Sequence, residues 1–419
     1  MASVVLFGVS DGARADIYWG VTGSGGIGHA ALDGNGADWN FVDNSGTCGA
    51  GRLAAYGLHL YWTNMGQCGI PGASGAIGRS NLNGTGADAN FINVPGLEGP
   101  GGLAVEGNYI YWTNCGSCTT AGAIARANLD GTHVNLNFIT GLACPGPMAV
   151  DAQHLYWVNG CFNQTVGRAS LNGSGANRSF ITGVISGAGL AVDSHHIYWT
   201  NANYCTGGSC NPKFTNEVPG SIGRADLNGA AVNQTFISDP AWRCPAFGAC
   251  SPQGLAVDAA FLYWSNGVVT EGGGCTAAAG CDTIARAKPD GTGVNKAFIP
   301  PPSNTLQAAG ALTLGQRAGT RVTLRSSVNP SVVGQKVTYT ATVSPPPLGG
   351  FVRFTDGGAV VPGCGNVRLV ASNPLSSVAL CHVRYSAPGS HLLVATYSGS
   401  GTFAGSQSPT LKQVVRGVR

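Results

Sequence analysis

Arginines and acids recur at matching places along this chain. Arg79, Arg126, Arg168, Arg224 and Arg286 each lie inside an Ile/Val-Gly/Ala-Arg-Ala/Ser segment. Glu106, Asp151, Asp193 and Asp258 each follow a Leu/Met-Ala-Val segment. An acid beside a guanidinium could anchor a substrate or move a proton. Active sites tend to break symmetry, however, and this set respects it. The pattern therefore predicts a structural ion pair repeated with each unit. The histidines His29, His59, His133, His154, His195 and His196 are scattered, mostly in turns. The neighbours His195 and His196 cannot easily both point at one ion, so no metal ligands are assigned. No Ser-centred elbow, nucleotide loop or pair of carboxylates stands out, so no catalytic or cofactor-binding residue and no cofactor is assigned.

The fourteen cysteines carry a different chemistry. Most sit in Gly/Thr/Ser/Pro-rich sequence without clustered histidine. Their local spacings drift: Cys115 to Cys118, Cys205 to Cys210, Cys244 to Cys250, Cys275 to Cys281. A zinc site usually repeats one ligand spacing, so drifting pairs read as disulfides closing loops of different length. Disulfides place the chain in an oxidising compartment, secreted or at a cell surface.

Composition narrows the function classes. Charged residues are 10% and the formal net charge is +3, without a basic run, so a nucleic-acid role lacks its electrostatic footprint. No stretch approaches ~18 consecutive apolar residues, so no membrane span is predicted. Sixty-six glycines in a chain poor in Lys and Glu indicate an all-β protein with many tight turns. Residues 1–15 admit two readings: a signal-peptide remnant, with Val4–Val9 as apolar run and Ala13-Arg14-Ala15 as cleavage site, or an ordinary first strand.

The elements that must position these residues are repeats. A Tyr-Trp pair occurs at Tyr18-Trp19, Tyr61-Trp62, Tyr111-Trp112, Tyr156-Trp157, Tyr198-Trp199 and Tyr263-Trp264. Thr-Asn, Val-Asn or Ser-Asn follows five of them; Gly20-Val21 follows the first. Each unit then shows the Ile/Val-Gly/Ala-Arg/His segment, an Asp-Gly or Asn-Gly dipeptide and a strand with Phe41, Phe91, Phe138, Phe180, Phe236 or Phe298. Asp-Gly and Asn-Gly suggest two-residue hairpin turns. With the Leu-Ala-Val segment as inner strand A, each unit has four strands, A to D, at a period of roughly 40 to 50 residues, the sign of a propeller blade. The first unit lacks its own strand A. Residues 310–315 are expected to supply it and so close the ring.

These units resemble the YWTD repeats of low-density-lipoprotein-receptor-type propellers over roughly residues 16–316. The resemblance implies six blades and a protein-binding role. Asn replaces Asp at the motif's last position, which removes any salt bridge there. Residues 317–415 change to alternating strands, including Val333–Val343 and Gly350–Gly358, and resemble a bacterial Ig-like domain. The expected fold is thus all-β: a six-bladed β-propeller followed by an immunoglobulin-like β-sandwich.

Chain direction alternates in a blade, so the variable B–C loops and D–A connections lie on one face. All twelve propeller cysteines fall in them. Cys48–Cys68 and Cys144–Cys161 are expected pairs, and Cys115–Cys118 and Cys205–Cys210 would close B–C loops. Cys244, Cys250, Cys275 and Cys281 allow local or crossed pairing. Cys364 and Cys381 are expected to pair in the Ig-like module. Stapled loops on a rigid scaffold suit binding, and Tyr204, Phe214, Trp242, Arg243 and Phe247 are the candidate binding-face residues. The expected function is adhesion or recognition of a protein or glycan by a monomer, with the Ig-like module as spacer. The alternative is a hydrolase or lyase working in the central channel. The inner strands open on Gly, Leu, Ala and Val, which speaks against it.

Overall fold

The computed structural model describes residues 15–22, 25–43, 50–64, 75–95, 97, 100–114, 121–160, 164–185, 187–201, 205–206, 209–210, 220–239, 251–267, 283–301, 308–316, 320–344, 350–373, 376–398 and 405–417. Every regular element among them is a β-strand. The chain divides into two compact units at Gly315/Gln316.

In the first unit β1 (Ala15–Thr22), β2 (Ile27–Ala31) and β3 (Asp38–Val42) begin one sheet. A second sheet holds β4 (Ala50–Tyr56), β5 (His59–Asn64), β6 (Ala76–Asn81) and β7 (Asp88–Ile92). A third holds β8 (Pro100–Glu106), β9 (Tyr109–Asn114), β10 (Ala121–Asn128) and β11 (Asn135–Ala143), and a fourth β12 (Met148–Val150), β13 (His154–Asn159), β14 (Gln164–Ser170) and β15 (Asn177–Val184). The fifth is β16 (Leu190–Val192), β17 (His196–Asn201), β20 (Ser221–Asp226) and β21 (Asn233–Ser238). Its B–C loop carries the small hairpin β18 (Cys205–Thr206) and β19 (Ser209–Cys210). The sixth is β22 (Ser251–Val257), β23 (Leu262–Gly267), β24 (Ile284–Ala287) and β25 (Asn295–Ile299). Finally β26 (Ala308–Gln316) pairs with β1 and completes the first sheet, in the place expected for residues 310–315.

The second strand of each sheet is buried on both faces, which explains its unbroken Ile/Leu-Tyr-Trp run. All six tryptophans and tyrosines of these pairs are among the largest fully buried side chains. In the sheets with Gly28, Gly78, Gly167 and Gly223 the Trp ring lies flat against the glycine of the next strand, nearer than a Cβ could sit. Mixed clusters then join each sheet from the second to the fifth with the one that follows it, for example Tyr198, Ile222 and Ile237 with Leu262 and Trp264. Ile17 and Trp19 of the first sheet pack with Tyr263 and Ile284 of the sixth.

The C–D turns correct one expectation. They are three-residue loops, as in Leu129-Asp130-Gly131, closed by Gly131 N–H to Asn128 O and Asn128 N–H to Thr132 O. Gly131 has φ +83° while Asp130 does not enter the left-handed region, so the turn is type I with a glycine bulge and not a two-residue type I′ turn. That glycine has a second duty. Gly34, Gly84, Gly131, Gly173, Gly229 and Gly291 each face the Phe of the preceding sheet, with Phe298 against Gly34 linking sixth to first.

The second unit is a sandwich. One sheet is β27 (Arg321–Ser326), β29 (Lys336–Ser344), β34 (Ser376–Arg384) and β33 (Val370–Asn373). The other runs β28 (Ser331–Val332), β37 (Leu411–Arg416), β35 (Gly389–Tyr397), β30 (Phe351–Asp356), β31 (Ala359–Val360), with β32 (Val367–Arg368) and β36 (Ser406–Gln407) attached. Val337, Tyr339, Ala341 and Val343 alternate inward and meet Phe354, Ala395 and Tyr397. The Cys364–Cys381 disulfide is present, as expected.

Candidate functional site

The repeated Arg and acid do not form the expected ion pair. Asp151 Oδ1 accepts from the backbone of Gln153 and His154, closing the A–B turn, and Oδ2 accepts from Tyr156 Oη at 2.9 Å. Asp193 does the same with Tyr198 at 3.0 Å, and Asp258 with Tyr263 at 3.4 Å. The guanidinium instead lies over a ring: Arg168 on Phe180 at 3.9 Å, Arg224 on Phe236 at 4.0 Å, Arg79 on Phe91 at 3.8 Å. It also reaches the next sheet, where Arg168, Arg224 and Arg286 donate to Leu227 O, Pro289 O and Leu32 O. The tyrosine hydroxyl thus stands between carboxylate and guanidinium. Burial, then the Asp carboxylate, pushes Tyr156, Tyr198 and Tyr263 well above the ordinary phenol range. The third sheet differs: Tyr111 Oη donates to Leu171 O of the fourth, and burial raises Glu106.

The histidines join this scaffold. His29 takes the Arg position of the first sheet, pairs with buried Asp16 at 3.2 Å and stacks on Phe41. His154 lies 3.6 Å from Asp151, and His196 3.8 Å from Asp193. Burial and the charge of Arg79 lower His59. Among the described residues no cluster of His, Cys, Asp and Glu could hold a metal.

The Thr and Asn after each Tyr-Trp pair are ties as well. Thr63 Oγ1 accepts from Arg52 N–H, Thr113 from Gly102, Thr200 from Ala188 and Gly189, and Ser265 from Gly254. Thr113 and Ser265 donate onward to Gly146 O and Gly310 O of the next sheet. Asn159 and Asn201 each accept from a D–A backbone N–H, of Ala143 and Ile185, and donate to a D-strand carbonyl. An Asp could accept but not donate, which accounts for Asn at this position.

Inside the six inner strands is one cavity of about 30 Å³. Two layers line it. Leu53, Leu103, Met148, Leu190, Leu255 and Leu312 form an apolar layer with one residue from each sheet. The residue before each is Arg52, Gly102, Pro147, Gly189, Gly254 and Ala311. Arg52 is the sole ionisable side chain of the lining, and the expectation of a channel bordered by Gly, Leu, Ala and Val missed it. Its Nε–H donates to Gly101 O at 3.2 Å. Part of the side chain meets the cavity while protein encloses the rest, and this desolvation lowers its pKa to about 10. The signal was present in the sequence, as one Arg in a Gly/Pro/Ala series, but showed only once the inner strands were aligned.

The candidate binding-face residues Tyr204, Phe214, Trp242, Arg243 and Phe247 lie outside the described residues. So do Cys48, Cys68, Cys115, Cys118, Cys161, Cys244, Cys250, Cys275 and Cys281. Cys144 is disulfide-bonded, and Cys205 and Cys210 face each other in register in the small hairpin. Among the described residues no helix is long and apolar enough to cross a membrane.

Residues 322–416 match the family model of the bacterial Ig-like domain (group 3). No curated protein matches the chain. Solved structures resemble it at low identity. One is the β-propeller domain of the Trilobed protease from Pyrococcus furiosus: 8% identity, TM-score 0.37, 87% of this chain and 96% of that one. A putative 6-phosphogluconolactonase from Bacteroides fragilis shows 12% identity and TM-score 0.38, covering 90% and 99%. The computationally designed Ika8 protein shows 11% and 0.34, covering 87% and 96%. Among the described residues the chain is thus all-β, a series of four-stranded sheets followed by a bacterial Ig-like domain.

Proposed function

We propose that this chain is an extracellular or cell-surface recognition protein. Its repeats make a ring-closed, six-bladed YWTD-like propeller whose looped face binds a protein or glycan, and its Ig-like domain acts as spacer. One observation carries the reading: the repeated chemistry is consumed by the scaffold. Tyr, Asp, Arg, Thr and Asn tie strand to strand and sheet to sheet, and the longest and most variable segments are the B–C loops and D–A connections. Variable loops on a scaffold tied in this way suit recognition. The oxidising environment that disulfides require agrees with exposure outside the cell.

A hydrolase or lyase in the channel is the weaker reading. The cavity lining offers one cation and neither a nucleophile nor a general base. The test is a binding screen of the full chain against glycans and surface proteins, with lactone and phosphoester turnover in parallel. Capture that Trp242→Ala or Tyr204→Ala abolishes supports recognition. Turnover without any capture overturns it.

A further inference from the structure

We infer that the central cavity is a carboxylate-binding site with Arg52 as its anchor. The place is singular. Five of six equivalent positions are Gly, Pro or Ala, and one carries a long cation. At Gly102, Gly189 and Gly254 even a Cβ would run into the next inner strand, so this layer is built close and small.

The guanidinium is also incompletely used. Nε–H is engaged by Gly101 O, and the two Nη groups have no hydrogen-bond acceptor among the described residues. No carboxylate of a described residue comes within ion-pair distance of it. A guanidinium in this state presents parallel N–H bonds that match the two oxygens of a carboxylate. The cavity of about 30 Å³ has room for only one or two water-sized groups, so the carboxylate head would enter and the rest of the ligand stay outside it. The Leu/Met layer keeps the local dielectric low, which strengthens the attraction of an anion for Arg52. Burial holds the pKa at about 10, so the side chain is still charged at neutral pH.

Arg52 stands near the start of its inner strand, on the side where the D–A connections enter. The carboxylate belongs either to a free small acid or to an acidic sugar. The inference does not need the looped face to bind anything.

The experiment is calorimetric titration of the full chain with sodium acetate, with sodium glucuronate, and with sodium chloride at matched ionic strength. Acetate is expected to saturate at one per chain and to bind more tightly than chloride. Arg52→Gly installs the residue that three other sheets carry there and weakens acetate by roughly tenfold or more, the scale of a charge-assisted bidentate pair. Arg52→Lys keeps charge without the fork and falls between. Glucuronate competing with acetate for one site identifies the sugar-acid source; acetate bound without competition identifies the free acid. Equal titration by acetate and chloride overturns the assignment, and so does full acetate affinity in Arg52→Gly. If Arg52→Gly does not fold, Arg52→Lys decides, and wild-type affinity there overturns it. Acetate binding together with turnover and no captured partner sinks only the recognition reading.

Discussion

The outer three strands of each repeat and its inner strand follow different rules. Outside, nearly every sheet uses the same parts: a Trp, on glycine in four of them, a Tyr that meets Asp in three, and an Arg over Phe that reaches into the next sheet. Inside, the residue before the Leu/Met layer changes from Arg52 to Gly102 to Pro147. The difference teaches where to look for function. Parts used over and over hold the array, whereas a position free to vary can acquire a role of its own.

The largest effect should come from breaking an outer part. Trp157 is fully buried between the fourth and third sheets, in a cluster with Ile124, Ile139 and Met148. Trp157→Ala should cost about 3–5 kcal/mol, read by chemical denaturation. A cost near that of an exposed residue would show that the outer strands are not the common scaffold.

Next is the tyrosine. Tyr198→Phe removes the hydroxyl that Asp193 Oδ2 accepts from, at a cost of about 1–3 kcal/mol at neutral pH. It should also change the alkaline limb. The folded-state pKa of Tyr198 lies above the unfolded value of about 10. Its stabilising contribution is therefore complete below pH ~10 and is lost as pH rises toward the folded value. The same sign holds for Tyr61, Tyr111, Tyr156 and Tyr263. Melting temperature should fall above pH ~10, less steeply in Tyr198→Phe. Wild type and Tyr198→Phe losing melting temperature equally above pH ~10 would contradict the buried relay.

Much of the scaffold was legible because it is local. The Tyr-Trp period gave the sheets, and the unpaired first unit pointed to residues 310–315, which β26 supplies. The acid–arginine pair was misread because sequence spacing places both on one blade edge without showing that Tyr156 and Phe180 stand between them. The turn length was misread because Asp-Gly serves both hairpin types, and only φ at Asp130 separates them. Arg52 escapes notice in the sequence because its significance is comparative: a cation is ordinary in a strand and exceptional only against the five small residues at the equivalent positions, four of which line the same cavity.

The Thr ties allow a finer test of the inner strand. Thr200→Val leaves the buried N–H of Gly189 and that of Ala188 without their acceptor, and should cost about 1–3 kcal/mol. The fourth sheet already has this change naturally, since Val158 stands where four of the others have Thr or Ser and the first has Gly20.

The reason lies across the sheet. The residue facing Val158 is Pro147, which has no N–H to offer, so a hydroxyl there has nothing to accept. Val158 N–H donates to Pro147 O as Thr200 N–H donates to Gly189 O, while Gly146 N–H turns to Val158 O where Ala188 N–H meets the Thr200 hydroxyl. Proline and valine therefore form one exchangeable unit with glycine and threonine. Pro147→Gly alone creates a buried donor without an acceptor, and Val158→Thr alone a hydroxyl without that donor. Together they rebuild the joint of the fifth sheet. The smallest predicted effect is thus a coupling: the double variant should be more stable than the sum of the singles by about 1 kcal/mol, measured as a double-mutant cycle in urea. Additivity within about 0.5 kcal/mol would mean that the inner strand varies without regard to its neighbour. Arg52, whose own N–H is held by Thr63, would then be one more tolerated exception.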